Sequence, residues 1–219
     1  MTTLASELAA FAAALREQAP PAVLEAIERS TELLVQSGLT ERALRRGDRA
    51  PDFILHDAVG DLVDSRRLRS RGPVVLCFYR GAWCPYCNLE LRAWQQHLPE
   101  LQRLDATLVA ISPQTPDASL TLAEKHSLTF PVLSDRANAL ARSFGIVFTV
   151  DDGMRAILEG FGVRLPEYNG DSSYELPVPA TYLVASDATI VGAWIDVDYR
   201  RRGEPSAVLA RLRELVSPV

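Results

Sequence analysis

The chain has 219 residues, 47% of them apolar or aromatic, which is enough for a sizeable core and for one domain with an extension. Its net charge of −5 argues against nucleic acid as the main partner. Three cysteines do not make a disulfide scaffold, no apolar run approaches membrane-spanning length and no signal-peptide pattern is visible, so a reducing cytoplasm is the expected compartment and no membrane contact is expected.

Residues 3–46 are expected to be helical. Leu4, Leu8, Phe11 and Leu15 share one face, Pro20 and Pro21 break the helix, and Val23 to Leu34 build a second that ends near Gly38. Thr40 is a candidate cap for a short third helix. These helices are expected to pack on the main domain. An Ala-rich amphipathic hairpin of this kind also suits a homodimer contact. The division expected is an N-terminal helical extension, 1–46, and a main domain, 47–219.

Phe53 to Leu55 begins a short strand. The turn-rich His56 to Asp61 returns it through Leu62 and Val63, and Ser65 is the expected cap of a one-turn helix. Val74 to Tyr79 is an unbroken apolar and aromatic run, as suits a strand covered on both faces. Gly81 supplies a turn. Pro85 can take the first helical position, where its missing N–H costs nothing. Leu89, Leu91, Trp94 and Leu98 continue as a helix.

Further along, Thr107 to Ile111 is a second buried strand, followed by a helix opened by Pro116 or Asp117. Phe130 to Asp135 is extended, Ala137 to Phe144 is a helix stopped by Gly145, and Ile146 to Val150 suits a strand. Met154, Ile157, Leu158 and Phe161 suggest a short helix, Leu165 to Val178 reads as a loop long enough to be functional or mobile, and the stretch 151–177 is a candidate to cover the site. Ala180 to Ala185 and Ile190 to Ile195 form a hairpin. Glu204 and Pro205 open a last helix with Val208, Leu209, Leu212 and Leu215 facing inward. Strands alternating with helices, then a hairpin and a closing helix, make an α/β sandwich around a mixed sheet.

The chemistry gathers at Cys84-Pro85-Tyr86-Cys87. Cys84 falls at the cap of the helix that follows the central strand, at the strand's carboxyl end, where α/β sites commonly lie. A thiolate there is favoured by the free N–H groups and partial positive charge of the helix terminus. Cys87, one turn on, is within reach to close a disulfide. Trp83 and Tyr86 flank the pair as an apolar rim, and Phe78 and Tyr79 are further candidates to border the pocket. Cys77 lies inside the strand and is expected to be buried and inert. Glu90 has two readings, a contact with the helix start or a solvated face. His56, His97 and His126 are isolated, so neither a metal site nor a cofactor is expected.

Several segments together resemble one family. Arg49-Ala50-Pro51-Asp52-Phe53, Asp57, Gly60, Phe78-Tyr79, Phe130 to Asp135 and Thr181-Tyr182-Leu183-Val184 are similar to the alkyl hydroperoxide reductase and thiol-specific antioxidant family, the peroxiredoxins. The resemblance runs from residue 47 to about 215 and implies a thioredoxin-like fold. It is nearest to a divergent peroxiredoxin-like branch with the pattern Phe-Tyr-Arg-Gly-x-x-Cys-Pro-x-Cys, here Phe78 to Cys87. That branch also carries a segment matched by Asp198, Tyr199, Arg202, Glu204 and Pro205.

The departures are at the site. Aligned on Phe78-Tyr79, the family's peroxide-attacking thiol falls on Cys87, its Thr on Cys84 and its Pro on Arg80. The helix-cap argument instead favours Cys84, and both assignments stand open at this level. The Arg that the family places before the late Thr-containing strand is replaced by Pro179, and Arg80 is the candidate to supply that charge. Pro179 also resembles the cis-Pro that thioredoxin-type enzymes set beside their Cys pair, and a trans Pro entering the strand is the competing reading.

The leading expectation is a thiol-dependent peroxidase that reduces hydroperoxides through Cys84 and Cys87 and is restored by a thioredoxin-like or other dithiol reductant. The alternative is a thiol–disulfide oxidoreductase acting on disulfide substrates. A redox-inert binding protein is the third reading, and the intact Cys pair speaks against it.

Overall fold

The computed structural model describes residues 2–216. Its centre is strand β3 below, an all-apolar run in which every residue is buried. The elements in order are helices α1 (Leu4–Gln18), α2 (Pro21–Gln36) and α3 (Leu39–Arg42), strands β1 (Ile54–Asp57) and β2 (Leu62–Asp64), helix α4 (Ser65–Arg69), strand β3 (Val74–Phe78), helix α5 (Pro85–Arg103), strand β4 (Thr107–Ser112), helix α6 (Pro116–Lys125) and strand β5 (Val132–Ser134). They continue with helix α7 (Ala139–Ser143), strand β6 (Val147–Thr149), helices α8 (Asp152–Gly160) and α9 (Leu165–Asn169), strands β7 (Glu175–Pro177), β8 (Ala180–Val184) and β9 (Ile190–Ile195), and helix α10 (Pro205–Val216).

Seven strands form one mixed sheet in the order β2-β1-β5-β4-β3-β8-β9. β3 runs parallel to β4 and antiparallel to β8, so the turn between β3 and α5 opens at the carboxyl end of the central strand. Helices cover both faces, which is why β3 and residues Leu108 to Ile111 of β4 carry unbroken apolar sequence. This is the α/β sandwich around a mixed sheet that the sequence leads one to expect. No helix among the described residues is long and apolar enough to cross a membrane.

α5 turns Tyr86, Cys87, Glu90, Leu91, Trp94, Leu98 and Leu101 inward, a spacing that keeps one stripe against the sheet. α1 packs on α5 and buries Leu4 and Leu8 in the same core. Two of its first N–H groups, those of Leu4 and Ala5, donate to the Glu204 carboxylate at 3.1 and 3.0 Å. An anion at a helix N-terminus meets unpaired donors there. α2 packs on α8. α3 packs on α2, while Leu33 and Val35 of α2 are exposed.

The structure differs from the sequence expectations at element ends and in one segment. α3 follows Gly38, which takes the left-handed conformation at φ 64°, and Thr40 lies inside the helix. Asp64 caps α4 by accepting from the Arg66 N–H, while the Ser65 hydroxyl accepts from the Phe53 N–H. The helix expected from Ala137 is broken, because Ala137 and Asn138 sit at positive φ and the Asp135 carboxylate accepts from Leu140 and Ala141 to start α7 there. Residues 165–178, read as a loop, contain α9 and β7, the latter paired with β6 outside the main sheet. Leu215, expected inward, is exposed at the end of α10.

Candidate active site

Cys84 is the N-cap of α5, with extended backbone (φ −91°, ψ 111°), and Pro85 takes the first helical position. The approach is fixed locally. The Cys84 N–H donates to the Gly81 carbonyl, the Ala82 N–H to the Gln114 side chain, and the Asn88 amide to the Ala82 carbonyl. Gly81 is required because a Cβ there would collide with the Trp83 indole. All three cysteines are free thiols and all are buried.

Cys84 opens onto a cavity of about 330 Å³ that Arg80, Trp83, Pro85, Tyr86 and Tyr199 also line. The Arg80 guanidinium is stacked between two rings, 4.8 Å from the Trp83 centroid and 4.3 Å from that of Tyr199. Its residue is buried and its Nε has no hydrogen-bond partner. Arg202 reaches Glu90 and Cys87 of α5. Its side chain is buried, its Nε donates to Glu90 Oε2 at 2.7 Å, and its Nη2 lies 3.5 Å from the Cys87 sulfur.

These charges sort the two thiols. Burial works to raise the Cys84 thiol, but a hydrogen bond from Cys87 and the Arg80 and Arg202 cations outweigh it and bring it down to about 6. The thiolate therefore predominates at neutral pH. Cys87 is driven the other way, well above its usual value, by burial and then by the negative charge on Cys84. One proton is shared by the pair, and it resides on Cys87. Cys77 is held well above the thiol range by burial and by Glu90. Glu90 itself is pushed up to about 7 by burial, against the pull of Arg202.

Of the residues singled out from sequence, Arg80, Trp83, Pro85 and Tyr86 lie around Cys84, and Pro179 does not. It lines a separate cavity of about 320 Å³ with Glu90, Thr181, Trp194 and Arg202. The reason is register. Ala180 pairs with Phe78, so Pro179 meets the end of the sheet on the Glu90 and Arg202 side. There is no cis peptide bond among the described residues, so Pro179 is trans. Phe78 and Tyr79 do not border the Cys84 cavity either. Both are fully buried, and Phe78 packs on Phe144 and Tyr182. Glu90 is not a solvated residue but half of a buried ion pair. The segment after residue 151 does border the cavity, through Met154 to Val163. No group of three or more His, Cys, Asp or Glu suited to a metal occurs among the described residues.

Residues 46–193 match the AhpC/TSA family model. The chain belongs to the AhpC/TSA family. Alkyl hydroperoxide reductase E of Mycobacterium tuberculosis is 35% identical over 105 residues, 47% of this chain and 69% of that protein. Peroxiredoxin Bcp of Escherichia coli is 30% identical over 103 residues, 47% of this chain and 65% of its own length. The crystal structure of peroxidoxin BcpB from Mycobacterium tuberculosis superimposes with a TM-score of 0.62 at 25% identity, covering 80% of this chain and 99% of that one. This AhpC/TSA protein is thus a cysteine-based oxidoreductase of the peroxiredoxin kind. α1, α2, α3, Tyr199 and Arg202 lie outside the matched stretch.

Proposed function

We propose that the protein reduces hydroperoxides with Cys84 as the attacking thiolate and Cys87 as the resolving thiol. The observation that carries this assignment is the placement of Cys84: a helix cap on a cavity, flanked by two cations, with its thiol lowered to about 6. Cys87 is fully buried, does not line that cavity and holds its proton.

In the first step the Cys84 sulfur attacks the outer oxygen of the hydroperoxide. The S–O bond forms, the O–O bond breaks, and the alkoxide takes a proton and leaves as the alcohol. Arg80, whose Nε faces no other acceptor, supports the charge that develops on the leaving oxygen. Cys87 then attacks the Cys84 sulfenic acid and loses its proton. A disulfide forms and water leaves. An external dithiol of thioredoxin-like chemistry returns two electrons and two protons, as suits a reducing cytoplasm.

A second reading is a thiol–disulfide oxidoreductase in which Cys84 attacks a disulfide. The adjacent Cys pair favours it, and the thiol–disulfide oxidoreductase ResA of Geobacillus thermodenitrificans is 30% identical over 105 residues, 48% of this chain and 59% of that protein.

Rapid mixing of reduced wild type, Cys84→Ser and Cys87→Ser with hydroperoxide separates the readings. Oxidation far faster than that of a free thiolate, kept in Cys87→Ser and lost in Cys84→Ser, is the expected result. The same loss in Cys87→Ser alone would reverse the roles. No acceleration in any protein would leave the disulfide chemistry.

A further inference from the structure

Ala82 lies midway between Arg80 and Cys84, and side chains take both of its backbone polar groups. Its N–H donates to Gln114 Oε1 at 2.7 Å, and its carbonyl accepts from Asn88 Nδ2 at 3.0 Å. Gln114 is fully buried just beyond the end of β4, and Asn88 sits near the start of α5. Each amide uses one end only. Among the described residues, Gln114 Nε2 and Asn88 Oδ1 are buried without a hydrogen-bond partner. A buried amide group left unpaired is unfavourable, so packing alone does not explain either residue. An apolar side chain of similar size would fill the same space without that cost. What the two amides have in common is Ala82.

Both anchors belong to packed parts of the fold. β4 pairs with the central strand, Phe78 against Ile111, and the Tyr79 N–H carries the ladder on to the Ile111 carbonyl at 3.0 Å. The N–H of Thr115, next to Gln114, donates to the Tyr168 carbonyl of α9 at 2.9 Å. The N–H of Asn88 donates to the Cys84 carbonyl at 3.1 Å. Between the anchors the turn is close-packed. A Cβ on Gly81 would meet both the Trp83 indole and the Gln114 amide carbon. Gln114 therefore packs on the same glycine as the ring that stacks on Arg80. A rotation at Ala82 would change where the guanidinium stands relative to the sulfur.

We propose that Gln114 and Asn88 are positioning residues, which clamp Ala82 and so hold the Arg80 guanidinium and the Cys84 sulfur on one cavity. The inference rests on Cys84 as the reactive thiolate, and not on the identity of its oxidant. Neither residue lines the cavity, so both act through the turn. The attraction between Arg80 and the thiolate depends on their separation, and the Cys87 thiol donates to Cys84 only in a suitable geometry. The charged and titratable groups that act on Cys84 are Arg80 on the turn, Cys87 and Tyr86 on α5, and Arg202 and Tyr199 on the loop before α10. Altering the clamp changes none of these groups, only the placing of the turn among them.

The test is the pH profile of Cys84 alkylation by iodoacetamide in the reduced full chain, read by peptide mass spectrometry. It compares wild type, Gln114→Met, Asn88→Ala and the double variant. Gln114→Met keeps the length and bulk of the side chain and removes its acceptor. Each single variant should move the midpoint upward by about half a pH unit or more. The double variant should move it by less than the sum, because both residues hold the same one. Gln95→Met is the control. Gln95 Oε1 accepts from the Thr129 N–H at 2.8 Å, so this variant loses an equivalent bond elsewhere on α5, and its midpoint should match wild type. Far-UV circular dichroism and urea unfolding check that each variant is folded. A merely structural role would lower stability without moving the midpoint.

A wild-type midpoint in folded Gln114→Met, or in folded Asn88→Ala, would overturn the clamp, and either variant suffices if the other does not fold. Fully additive shifts, or an equal shift in Gln95→Met, would also overturn it. Stopped-flow peroxide consumption by wild type separates this result from the function. Shifted midpoints with no accelerated peroxide reaction would support the clamp and overturn the peroxidase reading. An accelerated reaction with unshifted midpoints would overturn the clamp and leave the peroxidase reading standing.

Discussion

Cys84 and Cys87 are one helical turn apart and live in opposite surroundings. Cys84 faces a cavity that Arg80 also lines and that no carboxylate lines. Cys87 is enclosed in the core, where Arg202 touches both it and Glu90, and burial and the neighbouring Cys84 raise its thiol in spite of that cation. The difference teaches that a cation near a thiol is not sufficient. What separates the two is that Cys87 donates a hydrogen bond to Cys84, while the charge on Cys84 raises Cys87. The same difference separates attack from resolution, since one sulfur is charged and reachable and the other is neutral and enclosed.

The strongest way to break the comparison is to delete one thiol. Cys84→Ser should lower the peroxide oxidation rate by about three orders of magnitude or more, because serine is not ionised at neutral pH. Stopped-flow consumption of hydroperoxide measures this. Next in size is the other side of the turn. Arg202→Met leaves Glu90 buried without its partner, and loss of one member of a buried pair costs about 3–5 kcal/mol. Urea unfolding at pH 8 should show a loss in that range. Glu90 also has its own pH signature. Its folded value of about 7 lies above the ordinary carboxylate value, so the unfolded chain ionises first. Its contribution is complete below the unfolded value and is lost as pH rises toward 7. Glu90→Gln should flatten that part of the stability–pH curve.

A smaller effect sharpens the comparison. Alkylation of Cys84 by iodoacetamide should rise with a midpoint near pH 6 and level off above it, as the lowered thiol ionises. Arg80→Met should move the midpoint upward by about one pH unit, since one of two cations is removed. A mass-spectrometric count of alkylated peptide against pH reads the shift. The smallest effect lies far from both thiols. Leu215→Ser, at an exposed position of α10, should change stability by no more than about 0.5 kcal/mol in a thermal melt.

The strand, turn and helix around Cys84 were legible because they are long and locally consistent. β3 is an unbroken apolar run, and Pro85 fits only the first turn of a helix. α9 and β7, of five and three residues, are too short to show a period, and the Pro in each hides them further. Glu90 falls on the buried stripe of α5 with Cys87, Leu91 and Trp94, so its spacing carried the signal. Its residue type hid it, because a carboxylate is read as exposed unless a partner is known. That partner, Arg202, is 112 residues away in the chain. The cavity wall has the same character, since Phe11, Ile27 and Ile157 belong to three separate segments. Pro179 shows the opposite error, in which a sequence position beside a site-bearing strand does not fix the side on which the residue emerges.

The most direct test of the account is the location of the first oxidation product. Fully reduced wild-type protein is mixed with one equivalent of hydroperoxide, trapped within milliseconds by a sulfenic-acid reagent and mapped by peptide mass spectrometry. The account predicts the adduct on Cys84, with a Cys84–Cys87 disulfide replacing it at longer times. An adduct on Cys87, with Cys84 still reduced, would contradict it.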